Sequence, residues 1–113
     1  MKHTMHLDAL PYNRIVFGTK RIEMRLFDEK REQIGPGDEI EFFLAGSENE
    51  SFVATVEKID RYGTFEDLLQ AYSRIELGCS EEESSKVILK LLRKIYTKKQ
   101  EALAGVVAIR IKL

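Results

Sequence analysis

Lys20-Arg21-Ile22-Glu23-Met24-Arg25-Leu26 alternates between charged and apolar side chains from Arg21 onward. Ile22, Met24 and Leu26 point to one side of an extended chain, and Arg21, Glu23 and Arg25 to the other. That is the pattern of a half-buried β-strand. The same period returns downstream. Ile40, Phe42 and Leu44 mark one strand, Phe52, Ala54 and Val56 a second, and Val107, Ile109, Ile111 and Leu113 a last one. Gly35-Pro36-Gly37-Asp38 is a turn signal, and the polar loop Ala45–Ser51 joins its flanking strands as a hairpin. The strand from Phe52 runs on to Tyr62, but Ile59 breaks its parity, which predicts a bulge near Lys58. Thr4–Leu7 reads as a short first strand, and Asp28–Gln33 as a turn or distorted edge.

Helices are predicted between these strands. Asp8 stands as N-cap of Ala9–Phe17, with Pro11 in the first turn and Tyr12, Ile15 and Val16 on one face. Gly18 is placed to end that helix in a left-handed conformation. Thr64 caps a short helix with Phe65, Leu68 and Leu69 inward. Ser80-Glu81-Glu82-Glu83 resembles a capping box, opening a helix with Val87, Ile88, Leu91, Leu92 and Ile95 on one stripe. Several adjacent strands and few crossovers point to an α+β domain with a small, mostly antiparallel β-barrel, not a doubly wound α/β fold.

The chain has 113 residues, which suits one domain spanning 1–113. Hydrophobic residues make up 43% and charged residues 33%, as in soluble globular domains. The single cysteine, Cys79, allows no internal disulfide. A cytoplasmic location is expected from that. The first fifteen residues contain His3, His6 and Asp8 and no apolar core, so no secretory signal is expected. No apolar run approaches the ~20 residues that cross a bilayer. No metal-ligand set or cofactor motif is visible. His3 and His6, three apart on a strand, face opposite sides and read as structural.

A formal net charge of −1 excludes a globally basic nucleic-acid coat. The signs are nonetheless segregated. Glu32–Glu57 carries seven acids and no Lys or Arg, whereas Ser84–Gln100 carries six bases and no acid. Arg14–Arg31 holds six bases against three acids. Convergence of the two basic segments would make a face for a phosphate-bearing partner. Ordinary solvated faces are the alternative.

Gly18-Thr19-Lys20-Arg21-Ile22-Glu23-Met24-Arg25 fits G-x-K-x-x-E-x-R, and Gly37-Asp38-Glu39-Ile40 follows as G-D-x-I. Met5-His6-Leu7, Pro11-Tyr12 and Asp28-Glu29-Lys30-Arg31 stand in the same ordered pattern. Arg61-Tyr62, Gly78-Cys79, Ile95-Tyr96 and Gly105-Val106-Val107 continue it. The set resembles the ASCH (activating signal cointegrator homology) family over nearly the whole chain. The resemblance implies a PUA-like fold and a cleft at the barrel mouth, lined by the G-x-K-x-x-E-x-R segment. It also implies association with RNA. Some small bacterial members remove an acyl group from N4-acetylcytidine. In them a Lys matching Lys20 activates a Thr, whose position is Glu23 here, and a Glu from a later loop assists.

The expected ligand- or RNA-binding residues are therefore Gly18, Lys20, Glu23, Arg25, Tyr62 and Tyr96. Gly18 would let the backbone turn and Lys20 emerge beside the strand. Glu23 and Arg25 share a strand face, and Arg25 offers a planar donor fork to phosphate, carboxylate or base edge. Glu23 could accept from an exocyclic amine. The plainer alternative is a Glu–Arg pair that fastens one strand to its neighbour. Tyr62 and Tyr96 could stack on a base or sit as ordinary core or rim tyrosines. The expected partner is RNA or a nucleotide-like ligand, and no cofactor is implied. A small amidohydrolase is the alternative, with Lys20 and Glu23 catalytic. There Glu23 would act as base for water and Lys20 as oxyanion stabiliser, with Glu76 as a second carboxylate. A protein–protein adaptor is a third class. Cys79, placed just before a helix, could have a lowered pKa.

Overall fold

The alternating segments pair as their period requires. A computed structural model describes residues 1–113. Strands β1 (Lys2–Leu7), β2 (Ile22–Leu26), β3 (Glu39–Leu44), β4 (Ser51–Tyr62) and β5 (Val106–Lys112) form one sheet in the order β1-β3-β4-β5-β2. β1 runs parallel to β3, and every other pairing is antiparallel. The expected bulge lies between Val56 and Lys58. The sheet curls into a half-barrel with β1 and β2 as its edges. Arg25 on β2 donates to the His6 carbonyl on β1 at 2.9 Å, so one side chain spans the gap. The fold is α+β and PUA-like, as expected.

The helices are α1 (Ala9–Val16), α2 (Glu29–Glu32), α3 (Phe65–Ala71), α4 (Ser85–Leu92) and α5 (Lys98–Ala104). Two of them depart from the sequence reading. Asp28–Gln33 is not a plain turn: Asp28 accepts from the Arg31 N–H and caps the single turn of α2. The helix expected to open at Ser80–Glu83 is followed by a second, separate one. Ser84, not Ser80, caps α4, and α5 starts afresh at a complete capping box of Thr97 and Gln100. The acids at Glu81–Glu83 precede the helix, where the Glu83 carboxylate accepts from the Ser80 N–H. Asp8 sits at the N-cap of α1 but makes no side-chain cap bond.

The sheet is buried on both faces, which the alternation did not foretell. Val107, Ile109 and Ile111 join Met5, Ile15, Ile40 and Phe42 on the concave side. Val106 and Ala108 join Ile22, Leu26, Phe65, Leu68 and Ile88 on the other. Ala108, which alternates with Val107 and Ile109 along β5, is therefore in a second core beneath α3 and α4. In an antiparallel pair, opposed residues share a face. Glu23 opposes Ile109 and Arg25 opposes Val107, so both acid and base lie on the concave side. This register positions the site. No helix is long and apolar enough to cross a membrane.

Asp38 of the G-D-x-I turn fastens β1 to the turn before β3. Its carboxylate hydrogen-bonds the His3 ring at 2.8 Å and accepts from the Gly35 N–H at 3.0 Å. These bonds, that of His3 first, hold its pKa down from 3.8 to about 2. A carboxyl depressed on folding stabilises above its unfolded pKa and loses that contribution as pH falls through the folded one. Stability should therefore decline between about pH 4 and pH 2, and Asp38→Asn should flatten that part of the profile. Urea melts of both proteins across this range check it, and parallel profiles would refute it.

Candidate functional site

A cleft of about 340 Å³ opens at the barrel mouth between the two edge strands. Lys20, Glu23, Met24 and Arg25 contribute from the motif segment, and His6, Asp8 and Pro11 from the end of β1 and the start of α1. Leu92, Ile95 and Tyr96, at and beyond the end of α4, supply an apolar wall. A small number of convergent polar groups against apolar walls is the usual make-up of a ligand site.

The floor is a buried charge triad. Lys20 is 5% exposed and Glu23 also 5%. The Lys20 ammonium donates to the Ile22 carbonyl at 2.8 Å and the Leu77 carbonyl at 3.2 Å, and lies 3.3 Å from Glu23 Oε1. Its three N–H donors thus have three acceptors within the chain. Glu23 Oε2 accepts from Arg25 Nε at 2.8 Å. Burial pushes the Glu23 carboxyl up, but Lys20 and Arg25 outweigh it and hold the pKa below the usual carboxylate value. Arg25 is the member that faces out. Nε serves Glu23 and one terminal N–H serves the His6 carbonyl. Three of its five N–H donors therefore remain for a ligand.

Two glycines hold Lys20 in place. Gly18 does not adopt the expected left-handed conformation, since its φ is not positive. It is required by close approach instead: a Cβ there would stand 2.8 Å from the Arg14 carbonyl oxygen, which also accepts from the Lys20 N–H. Gly78, with φ +82°, packs directly on the Lys20 stem, and a Cβ would meet its Cβ, Cγ and Cδ at 2.9 Å. Arg14 clamps this loop by donating to the Gly78 carbonyl at 2.6 Å. The segment before Gly78 runs against β2, where the Glu76 carbonyl accepts from the N–H groups of Arg21 and Ile22.

Lys20, Glu23, Arg25 and Tyr96 therefore meet in the cleft, with Gly18 behind Lys20. Tyr62 does not join them. It opposes Val106 across β4 and β5, which puts it on the opposite face of the sheet from Arg25. Its hydroxyl donates to Tyr72, which in turn donates to Asp60. The Tyr96 ring stacks on Phe65, centroids 5.4 Å apart, so one ring face is already covered. Burial raises the Tyr96 pKa, which keeps its hydroxyl protonated. Glu76 pairs with Arg110 at 3.1 Å and does not line the cleft. Cys79 lies several residues before α4, and burial and Glu83 push its pKa up, not down. Sequence reasoning missed His6 and Asp8 as rim residues and Gly78 as the support of Lys20. The motif pairing of Gly78 with Cys79 drew attention to the thiol, while the glycine carries the contact. No three His, Cys, Asp or Glu side chains gather closely enough to hold a metal ion.

The comparisons agree with this architecture. The crystal structure of hypothetical protein PH0355 superposes with a TM-score of 0.84 at 34% identity, covering 99% of this chain and 98% of that one. The solution NMR structure of protein PF0455 from Pyrococcus furiosus gives a TM-score of 0.72 at 32% identity, covering 99% and 96%. No functionally curated protein matches the chain. The ASCH domain profile matches residues 5–113, a span that takes in edge strand β2, the second half of edge strand β1 and every residue of the cleft, and the chain belongs to the ASCH domain family.

Proposed function

We propose that this protein is a binding module whose cleft takes a nucleotide-like ligand or a nucleotide of RNA. The observation that carries the reading is Arg25: a guanidinium fixed by Glu23 and His6 that still directs free donors into an amphiphilic cleft. A fixed fork suits a phosphate or a base edge, and the apolar wall suits a planar base. Membership of the family supports the same class of ligand. The amidohydrolase alternative is disfavoured by the chemistry of the pair it would need. Lys20 has its donors engaged by the chain, and a carboxylate held below its usual pKa is a weak base near neutrality.

Titration of a nucleoside monophosphate and of a short RNA into the wild type, followed by NMR, should move resonances of Arg25, Tyr96 and His6. Arg25→Lys keeps the charge and loses the fork, and should weaken binding about 10–100-fold, as expected for charged hydrogen bonds. Absence of binding to either ligand at low salt would refute the reading. Incubation with N4-acetylcytidine should release no acetate. Turnover abolished by both Lys20→Ala and Glu23→Gln would replace the binding module with a hydrolase.

A further inference from the structure

The basic residues of the second half of the chain do not enter the cleft. Four of them, Lys86, Lys90, Arg93 and Lys98, line a separate groove of about 580 Å³ built by α3, α4 and α5. Lys86, Lys90 and Arg93 come from α4 and its C-cap, and Lys98 from the first turn of α5. Against these four cations stand Glu66 and Glu101. Glu101 is 6% exposed and already engaged: it accepts from Arg93 at 2.9 Å and from the Phe65 N–H at 3.3 Å. The second terminal nitrogen of Arg93, Nη1, is buried and has no acceptor in the chain. The lysines of the groove are exposed, and none of Lys86, Lys90 or Lys98 forms an ion pair. The groove thus keeps an uncompensated positive charge.

Helix α4 is the wall between this groove and the cleft. Its Leu92 lines the cleft, while Lys86, Leu89 and Lys90 line the groove. A helix with side chains is about 10–12 Å across. Only an extended ligand of a few repeating units can reach both. The acids of Glu32–Glu57 lie mostly on β3, β4 and their connection, none of them lines the groove, and they would steer a polyanion toward the basic side.

We infer that the α3–α4–α5 groove is a phosphate-binding track for a single-stranded oligonucleotide that crosses α4 and places one nucleotide in the cleft. The inference rests on the nucleotide reading of the cleft but concerns different residues. A polyanion carrying a planar group is favoured over an acidic peptide, because the same ligand must satisfy an apolar-walled cleft and a track of lysines.

The test compares a nucleoside monophosphate with a six-nucleotide RNA on the wild type and on Lys86→Ala/Lys90→Ala/Lys98→Ala. All three lysines are exposed, and circular dichroism checks that the variant is folded. The expected result is unchanged mononucleotide affinity and weaker RNA affinity. With about 0.7 counterions released per phosphate contact, three lost contacts lower the salt slope by about 2 and the affinity about a hundredfold at 0.1 M salt. RNA that binds the variant as tightly as the wild type, with the same slope, overturns the track. Hexaglutamate displacing the RNA at equal concentration overturns the choice of partner. Failure of the mononucleotide alone, with RNA binding still sensitive to the three lysines, refutes the cleft and leaves the track standing.

Discussion

Glu23→Ala is expected to be among the most damaging single substitutions in this protein, lowering stability by about 3–5 kcal/mol. The wild-type carboxylate sits between two cations in a nearly closed site. Its removal leaves the Lys20 ammonium buried with only backbone carbonyls as acceptors, and Arg25 facing it without a counter-charge. That is the broken buried ion pair, whose cost arises from the orphaned charge more than from the lost attraction. For a domain of this size the thermal midpoint should drop by about 12–20 °C. Glu23→Gln keeps an acceptor and should lose about half as much. The effect has a definite pH dependence. The Glu23 pKa is lowered on folding, so its contribution is complete above the unfolded carboxylate value and fades as pH falls through the folded one. The gap between wild type and Glu23→Ala should therefore be widest near neutrality and narrow in acid. A loss below about 1 kcal/mol at pH 7 would show that the triad is solvated, and the account of the cleft floor would fail with it.

The same triad shows why part of the fold was legible in the sequence. Period-two alternation located β2, β3, β4 and β5, and the parity break at Ile59 located the bulge, because each of these signals is local. The pattern marked β2 as half-buried and put Glu23 and Arg25 on one face, but the alternation alone did not say how deeply that face is covered. Alternation reports two different faces but not which is covered. Here the concave side of the half-barrel buries the acid as well as the apolar residues beside it. Ala108, on the opposite face of β5, is buried as well, since a second layer of helices covers that face. The break between α4 and α5 was also local, written in Thr97 and Gln100. The apolar stripe from Val87 to Ile95 masked it by continuing the helical period past the end of α4, although Val87, Leu91 and Ile95 prove exposed.

For the site, spacing gave the shared face of Glu23 and Arg25, and the family pattern pointed to Lys20. Neither could place Tyr62, because its face depends on the register of β4 with β5 after the bulge. One slipped residue sends every following side chain to the other side. The same limit hid His6 and Asp8. They reach the cleft only because the sheet curls far enough for one edge strand to meet the other, which is a property of the whole sheet.

Gly78→Ala should be the second severe substitution, costing about 2–4 kcal/mol and disturbing the cleft from a residue outside it. The new methyl group meets a positive φ and three carbons of the Lys20 stem at once. Neither side can yield easily. The Lys20 stem is held at its head by Ile22, Leu77 and Glu23, and at its backbone by the Arg14 carbonyl. The loop is held by Arg14 on the Gly78 carbonyl and by its own N–H on Ile75. If Gly78 exists to accommodate Lys20, shortening that side chain must relieve most of the steric cost. In the Lys20→Ala background the Cγ and Cδ contacts are gone and only the Cβ contact remains, so Gly78→Ala should cost the backbone share, about 1–2 kcal/mol, plus that residual contact. A double-mutant cycle by urea denaturation should give a coupling of about 1–3 kcal/mol. Binding offers an independent readout. Gly78→Ala should displace the ammonium from Glu23, leave Arg25 less firmly oriented and weaken the mononucleotide in the cleft. Additive stabilities in the cycle, together with unchanged affinity, would mean that Gly78 serves only its own turn and that Lys20 is positioned by its hydrogen bonds alone.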